Sequence, residues 1–170
     1  NTELHDVVFV VAESVEAAYE KLLDKWFGDP IRAHIDSWME LRSVDGYRIS
    51  LHSKPSGSKK KLFFINLGAY TPGQFTELHA NTFVVAESEA EVKKRAKGEL
   101  LRGAQSVHTD DLYDIDDCLE IGEVDGRHIH LEPTSEAGSL DPQNGYHIFP
   151  PKVLKAYAAR KNKQTVAQAG

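Results

Sequence analysis

The stretch Glu3-Leu4-His5-Asp6-Val7-Val8-Phe9-Val10-Val11-Ala12-Glu13-Ser14 returns 74 residues later as Glu77-Leu78-His79-Ala80-Asn81-Thr82-Phe83-Val84-Val85-Ala86-Glu87-Ser88. Nine of the twelve positions are identical, so the chain carries one unit twice. At the same offset His34 falls on His108 and Asp36 on Asp110. A six-residue expansion in the second copy then moves the offset to 80. This places Val44-Asp45-Gly46 on Val124-Asp125-Gly126, Ile49 on Ile129 and Leu51 on Leu131. The expected organisation is a first repeat over residues 1–52, a linker over 53–60, a second repeat over 61–133 and a C-terminal extension over 134–170.

Local chemistry assigns elements to the repeat. Lys61 to Leu67 is an apolar run closed by Gly68, and His79 to Ala86 is rich in β-branched and aromatic residues, so both read as strands. Ser88, with Glu91 three residues on, is a capping box that opens a helix, and Ser14 is its partner in the first copy. Val15, Ala18, Tyr19, Leu22, Leu23, Trp26 and Phe27 then form one helical stripe, as Val92, Ala96 and Leu100 do in the second copy. Asp-Gly at 45/46 and 125/126 sits between β-prone runs and favours a tight hairpin turn. The fold expected is therefore α+β. Two tandem ββαββ repeats form an intrachain pseudo-dimer, with antiparallel sheets and helices on one side. A C-terminal helix starts at Pro150-Pro151, with Val153, Leu154, Tyr157 and Ala158 as its docking face, and Lys161 to Gly170 should fray.

A Glu-x-His before Phe-Val-Val, a helix, a His-x-Asp and a Val-Asp-Gly turn together resemble the domain of unknown function 1543 family. That is a small bacterial family whose members carry one or two copies of the domain. Its copies open with a strand ending in a Leu-Gly-x-Tyr-like stretch, matched here by Leu67-Gly68-Ala69-Tyr70. The resemblance spans about residues 1 to 133; it implies the architecture and brings no activity with it.

Residue 1 aligns with residue 75, so the first repeat lacks a counterpart of Lys61 to Gln74. With Asn1 in first position, a natural start further upstream is expected, with room there for a targeting segment. The missing strand should leave an open edge beside His5 to Ala12. Three segments could fill it: an upstream one, the Tyr146 to Phe149 run of the tail, or a second copy in a homodimer.

Composition narrows the function classes. A net charge of −6 and a pI near 5.7 argue against a general phosphate-binding surface, so no nucleic-acid partner is expected. The two repeats are acidic, at −5 and −7, whereas linker and tail each carry +3. One cysteine, Cys118, allows no intrachain disulfide and suits a reducing, cytoplasmic compartment. No apolar run approaches the ~20 residues of a membrane helix, so no membrane partner is expected. Nucleotide-binding, serine-hydrolase, zincin and CxxC motifs are absent.

Glu3, His5, His34 and Asp36, repeated as Glu77, His79, His108 and Asp110, are the candidate site residues. Residues two apart on a strand share a face, so each copy can gather two imidazoles and two carboxylates. Such a set suits a divalent transition metal, the one cofactor class in view, or acid/base work near neutral pH. In the catalytic reading His79, His108 and Asp110 ligate metal and Glu77 is the general base of a hydrolase or lyase, with His5, His34, Asp36 and Glu3 as counterparts. In the structural reading, which is favoured, the same histidines hydrogen-bond the acids, bind no metal and pin the strand start to the segment after the helix. Three further features draw bland readings. His128 and His130 share a solvated strand face, Asp110 to Asp117 is an acidic loop, and Tyr70 to Phe75 is a turn whose rings cap the core. A non-catalytic module binding a small molecule or a protein is the favoured function, because duplicated α+β units create a groove without needing a catalytic motif.

Overall fold

The computed structural model describes residues 4–70, 73–95, 114–136, 138 and 140–168. Chain order is α1 (Val15–Lys25), a 3-10 turn (Pro30–Arg32), β1 (His34–Trp38), β2 (Ser43–Val44), β3 (Tyr47–His52), β4 (Lys61–Tyr70) and β5 (Glu77–Ala86). Then follow α2 (Glu89–Arg95), β6 (Asp114–Glu120), β7 (Glu123–Val124), β8 (Arg127–Pro133), β9 (Gln143–Ile148) and α3 (Pro151–Gln168). Every strand pairing among the described residues is antiparallel, so the class is α+β. The residues divide into two compact units, 1–40 with 141–170, and 41–140.

In the unit 41–140, β4 is the centre of a three-stranded sheet of order β5-β4-β6. Its run Leu62-Phe-Phe-Ile65 is apolar at consecutive positions because both faces are covered, and all four residues are buried. Phe63, Ile65 and Leu67 pack with Val84, Ala86 and the Val92 side chain of α2. The alternate residues Leu62 and Phe64 lie opposite Val85 and Phe83, whose ring centroid is 5.5 Å from that of Phe64. Helix α2 opens on the Ser88 cap, with the return bond of the capping signature landing one residue earlier, on Glu87. Ser88 Oγ accepts from Glu91 N at 3.3 Å, while the Glu91 carboxylate reaches back to Glu87 N at 2.8 Å. Replacing Ser88 with Ala should cost about 1 kcal/mol in denaturant unfolding and leave ligand binding unchanged. A variant with wild-type stability that has lost binding would reverse the assignment.

A second, four-stranded sheet in the same unit has the order β2-β3-β8-β7. Each outer strand reaches its neighbour through an Asp-Gly turn. Asp45 and Asp125 have φ of 52° and 51°, and Gly46 and Gly126 have φ of 76° and 74°, the left-handed pair that a type I′ hairpin needs. Strands β2 and β3 start at 43 and 47, and β7 and β8 start at 123 and 127, which keeps the offset of 80. In the β3–β8 ladder Ser50 pairs with His130, its own counterpart at that offset, and Ile49 and Leu51 pair with Leu131 and Ile129. The order therefore reads alike from either end. The Asp45 turn is also tied to β5, because its carboxylate accepts from Val85 N and from Arg95 Nη1, each at 2.9 Å.

In the other unit, α1 begins at Ser14, whose Oγ accepts from Ala17 N. Leu23 of α1 is buried with Phe149 and Tyr157, and Tyr19, Leu22, Val153 and Leu154 pack around them. The Tyr157 hydroxyl donates to the Leu23 carbonyl at 2.9 Å. Arg160 and Lys161 both contact the Asp24 carboxylate, at 2.8 and 2.9 Å. The Lys161 hydrogen bond is the largest cause holding that carboxyl below the usual range, helped by Arg160. Helix α3 continues to Gln168, beyond the frayed end expected from Lys161.

Three expectations need correction. Residues 4–12, identical at so many positions to β5, form no strand. The ladder of β5 is made with β4 along its whole length, and residues 4–12 belong to no strand pair among the described residues. The Phe9 and Val11 carbonyls accept instead from Lys25 Nζ and Lys21 Nζ of α1. The second correction concerns the tail. Strand β9 pairs antiparallel with β1, as β4 pairs with β6, so the tail is taken up on β1 and not along residues 5–12. Third, Asp114 to Asp117 lie in strand β6, not in an acidic loop, because Ile115 and Cys118 pair with Leu67 and Ile65 of β4.

Candidate imidazole–carboxylate site

In the first repeat the structure gathers His5, His34 and Asp36. His34 and Asp36 are alternate residues of β1 and so share a face. Asp36 lies between two rings, with His34 Nε2 3.3 Å from one carboxylate oxygen and His5 Nε2 3.5 Å from the other. His34 is the anchored member. Its side chain is 13% exposed, against 66% for His5 and 52% for Asp36. The His34 Nδ1 lies 3.2 Å from the Arg32 carbonyl, and the ring rests on Tyr146 of β9 with centroids 4.3 Å apart. Both ring nitrogens thus face acceptors. Tyr146 was invisible as a site residue in the sequence, since only the β1–β9 pairing brings it here.

In the second repeat Glu77 and His79 do share a face of β5, with His79 Nε2 3.6 Å from the Glu77 carboxylate. Glu3, His108 and Asp110 lie outside the described residues. Element positions also bear on the repeat of this site. Strand β1 starts at His34 and β6 at Asp114, an offset of 80, so by strand position His34 corresponds to Asp114 and Asp36 to Asp116. Among the described residues no group of three or more His, Cys, Asp or Glu is arranged to hold a metal ion.

The remaining sequence features fall elsewhere. Cys118 packs against the β4 core, where burial first and the Glu89 carboxylate second push its thiol up, away from the reactive thiolate. Phe75 is fully exposed and caps no core. His128 and His130 do share a face of β8, as expected, but His52 of β3 joins them there. No sequence offset pairs His52 with either, so only the strand register reveals the third ring. No helix among the described residues is long and apolar enough to cross a membrane.

Fold and cluster together define a small α+β protein of antiparallel sheets, carrying one sequence unit twice and an imidazole–carboxylate cluster on a strand of the first copy. The chain belongs to the Domain of Unknown Function (DUF1543) family, a small uncharacterised domain family, which it matches over residues 1–51 and 74–131, one match for each copy. It is also similar to a protein Il1583 from Idiomarina loihiensis, whose crystal structure superposes with a TM-score of 0.65 at 35% sequence identity. That likeness covers 89% of this chain and 88% of that one. No curated protein matches the chain.

Proposed function

We propose that the chain is a non-catalytic binding module that takes an extended protein segment on its β1–β9 ribbon. The carrying observation is the apolar surface of that ribbon. Tyr146 is 70% and Ile148 63% exposed on β9, and Trp38 is 38% exposed on β1. A two-stranded ribbon is marginal by itself, and large exposed apolar residues on one mark a surface that a partner covers. The outer edge of β9 pairs with no other described strand, so it offers backbone groups for strand addition. The His5, Asp36 and His34 cluster supplies polar groups beside the apolar ones. A second copy of the chain is the simplest such partner, in a cytoplasmic setting.

Panning the intact chain against displayed random peptides tests this reading. Selected peptides are expected to alternate apolar residues and to bind Ile148→Lys at least about tenfold more weakly, at unchanged thermal stability. Equal binding to that variant would remove the ribbon from the function. The competing reading is a metal-dependent hydrolase or lyase, and what favours it is the meeting of His5, His34 and Asp36. Near-stoichiometric metal in the purified protein, lost on His34→Ala together with a hydrolytic activity, would replace the binding module with it.

We also infer an intrachain pseudo-dimer of ββαββ repeats, bounded at 1–52 and 61–133, with the 53–60 linker, the 134–170 extension and the helices on one side of the sheets. Its support is the palindromic sheet order and the pairing of Ser50 with His130. A second support is that Arg95 donates to the Val85 carbonyl as Lys21 does to that of Val11, at the sequence offset of 74.

A further inference from the structure

The edge strands of the described sheets are guarded unequally. An open strand edge recruits other strands unless charge, shortness or capping of its backbone groups blocks it. On β5 the Asp45 carboxylate accepts from Val85 N and Arg95 donates to the Val85 carbonyl, so both backbone groups of that residue are taken. Strands β2 and β7 are two residues long. Strand β6, Asp-Ile-Asp-Asp-Cys-Leu-Glu, holds four acids in seven residues, and β1 holds Asp36. Strand β9 has none of these devices. Gln143-Asn-Gly-Tyr-His-Ile148 is six residues without Asp, Glu, Lys, Arg or Pro, and every position is exposed. It pairs with β1 alone among the described residues.

We infer that β9 pairs with β9 of a second copy of this chain, antiparallel and about a two-fold axis, joining two β1–β9 ribbons into one four-stranded sheet. Self-pairing rests on the ribbon reading above and names the ribbon's partner. An antiparallel edge is its own complement, because a two-fold axis turns the N–H groups of a segment towards the C=O groups of the same segment in the other copy. Charge decides which edge can use this. Each copy carries −6, so a self-pair of β6 would set acids against acids, whereas β9 brings no formal charge to the axis. Side chains set the register. An axis at His147 puts Tyr146 of each copy opposite Ile148 of the other, an aromatic against a β-branched residue, at positions 70% and 63% exposed in the single chain. The Tyr146 ring is already held for this contact, resting on His34 with centroids 4.3 Å apart. The β1–β9 register shifts between Ile35 and Ser37, and Pro150 follows Phe149. A bulge at one end and a residue without an N–H at the other confine the pairing to a few residues.

Sedimentation equilibrium of the full chain over a range of concentrations tests this, with amide exchange within residues 146–148 as the second readout. A monomer–dimer equilibrium is expected, with exchange in that segment slowing as concentration rises. Ile148→Lys, which sets a cation against each Tyr146, should raise the dissociation constant at least about tenfold with circular dichroism unchanged. Ile148→Thr keeps a β-branched residue and serves if the lysine variant unfolds. Phe75→Ala, which removes a fully exposed ring elsewhere, should leave the equilibrium as it is. A chain monomeric at every concentration, a dimer indifferent to the Ile148 variants, or one that forms with no slowing at 146–148 would each overturn self-pairing. Peptide selection reads the ribbon separately. A monomer that still binds selected peptides through Ile148 loses the second copy and keeps the binding surface, whereas one that binds none loses both.

Discussion

Phe63→Ala is expected to destabilise the chain by about 4 kcal/mol, because it empties a large ring from the best-packed part of the molecule. Phe63 is 3% exposed and meets Val84, Ala86 and Val92 in the core of the β5-β4-β6 sheet. Its loss removes transfer energy and leaves a cavity that a strand hydrogen-bonded on both sides cannot collapse to fill. In a domain whose total stability is of the order of 5–15 kcal/mol, that is a large fraction. Thermal unfolding should shift down by roughly 12 °C. Phe75→Ala is the control: that ring is fully exposed, and its removal should change stability by less than about 0.5 kcal/mol. Equal losses in the two variants would show that the core is not where the β4 packing places it.

Asp45→Ala is expected to cost about 3 kcal/mol through two separate effects. The carboxylate accepts from Val85 N and Arg95 Nη1, and Arg95 also donates to the Val85 carbonyl at 3.0 Å, so one side chain ties hairpin, strand and helix together. Removing it leaves a partly buried N–H without its acceptor and takes a partner from the guanidinium. Alanine must also adopt the φ of 52° that Asp tolerates better. Asp45→Asn keeps the turn preference and an acceptor and should lose about half as much. If the two variants match in urea unfolding, the lost carboxylate explains the whole loss and the backbone term contributes nothing measurable.

The candidate site was legible in part. Glu-x-His and His-x-Asp repeats pointed to His5, His34 and Asp36, and these do meet around one carboxylate. The offset of 74 that linked His34 to His108 is not the offset of the strands, which is 80 from β1 onward. At the strand offset Ile35-Asp36 matches Ile115-Asp116, so the two-residue His-x-Asp match at 74 competes with an equally short match that the strands follow.

Features that depend on a few adjacent residues were determined by the sequence itself. The duplication, the Ser14 and Ser88 caps, the Asp-Gly turns and the start of α3 each follow from chemistry within one turn or one hairpin. Features that depend on a partner strand were decided only by tertiary structure. Phe9-Val-Val-Ala12 and Phe83-Val-Val-Ala86 are the same four residues, yet only the second copy is a strand, since β4 stands beside it. Asp-rich residues 114–117 become a strand because β4 offers Ile65 and Leu67 to Cys118 and Ile115. Tyr146 reaches His34, and His52 reaches His130, for the same reason. A helix closes its hydrogen bonds within its own segment, whereas a strand closes them on another, so its existence and its neighbours are properties of the whole fold.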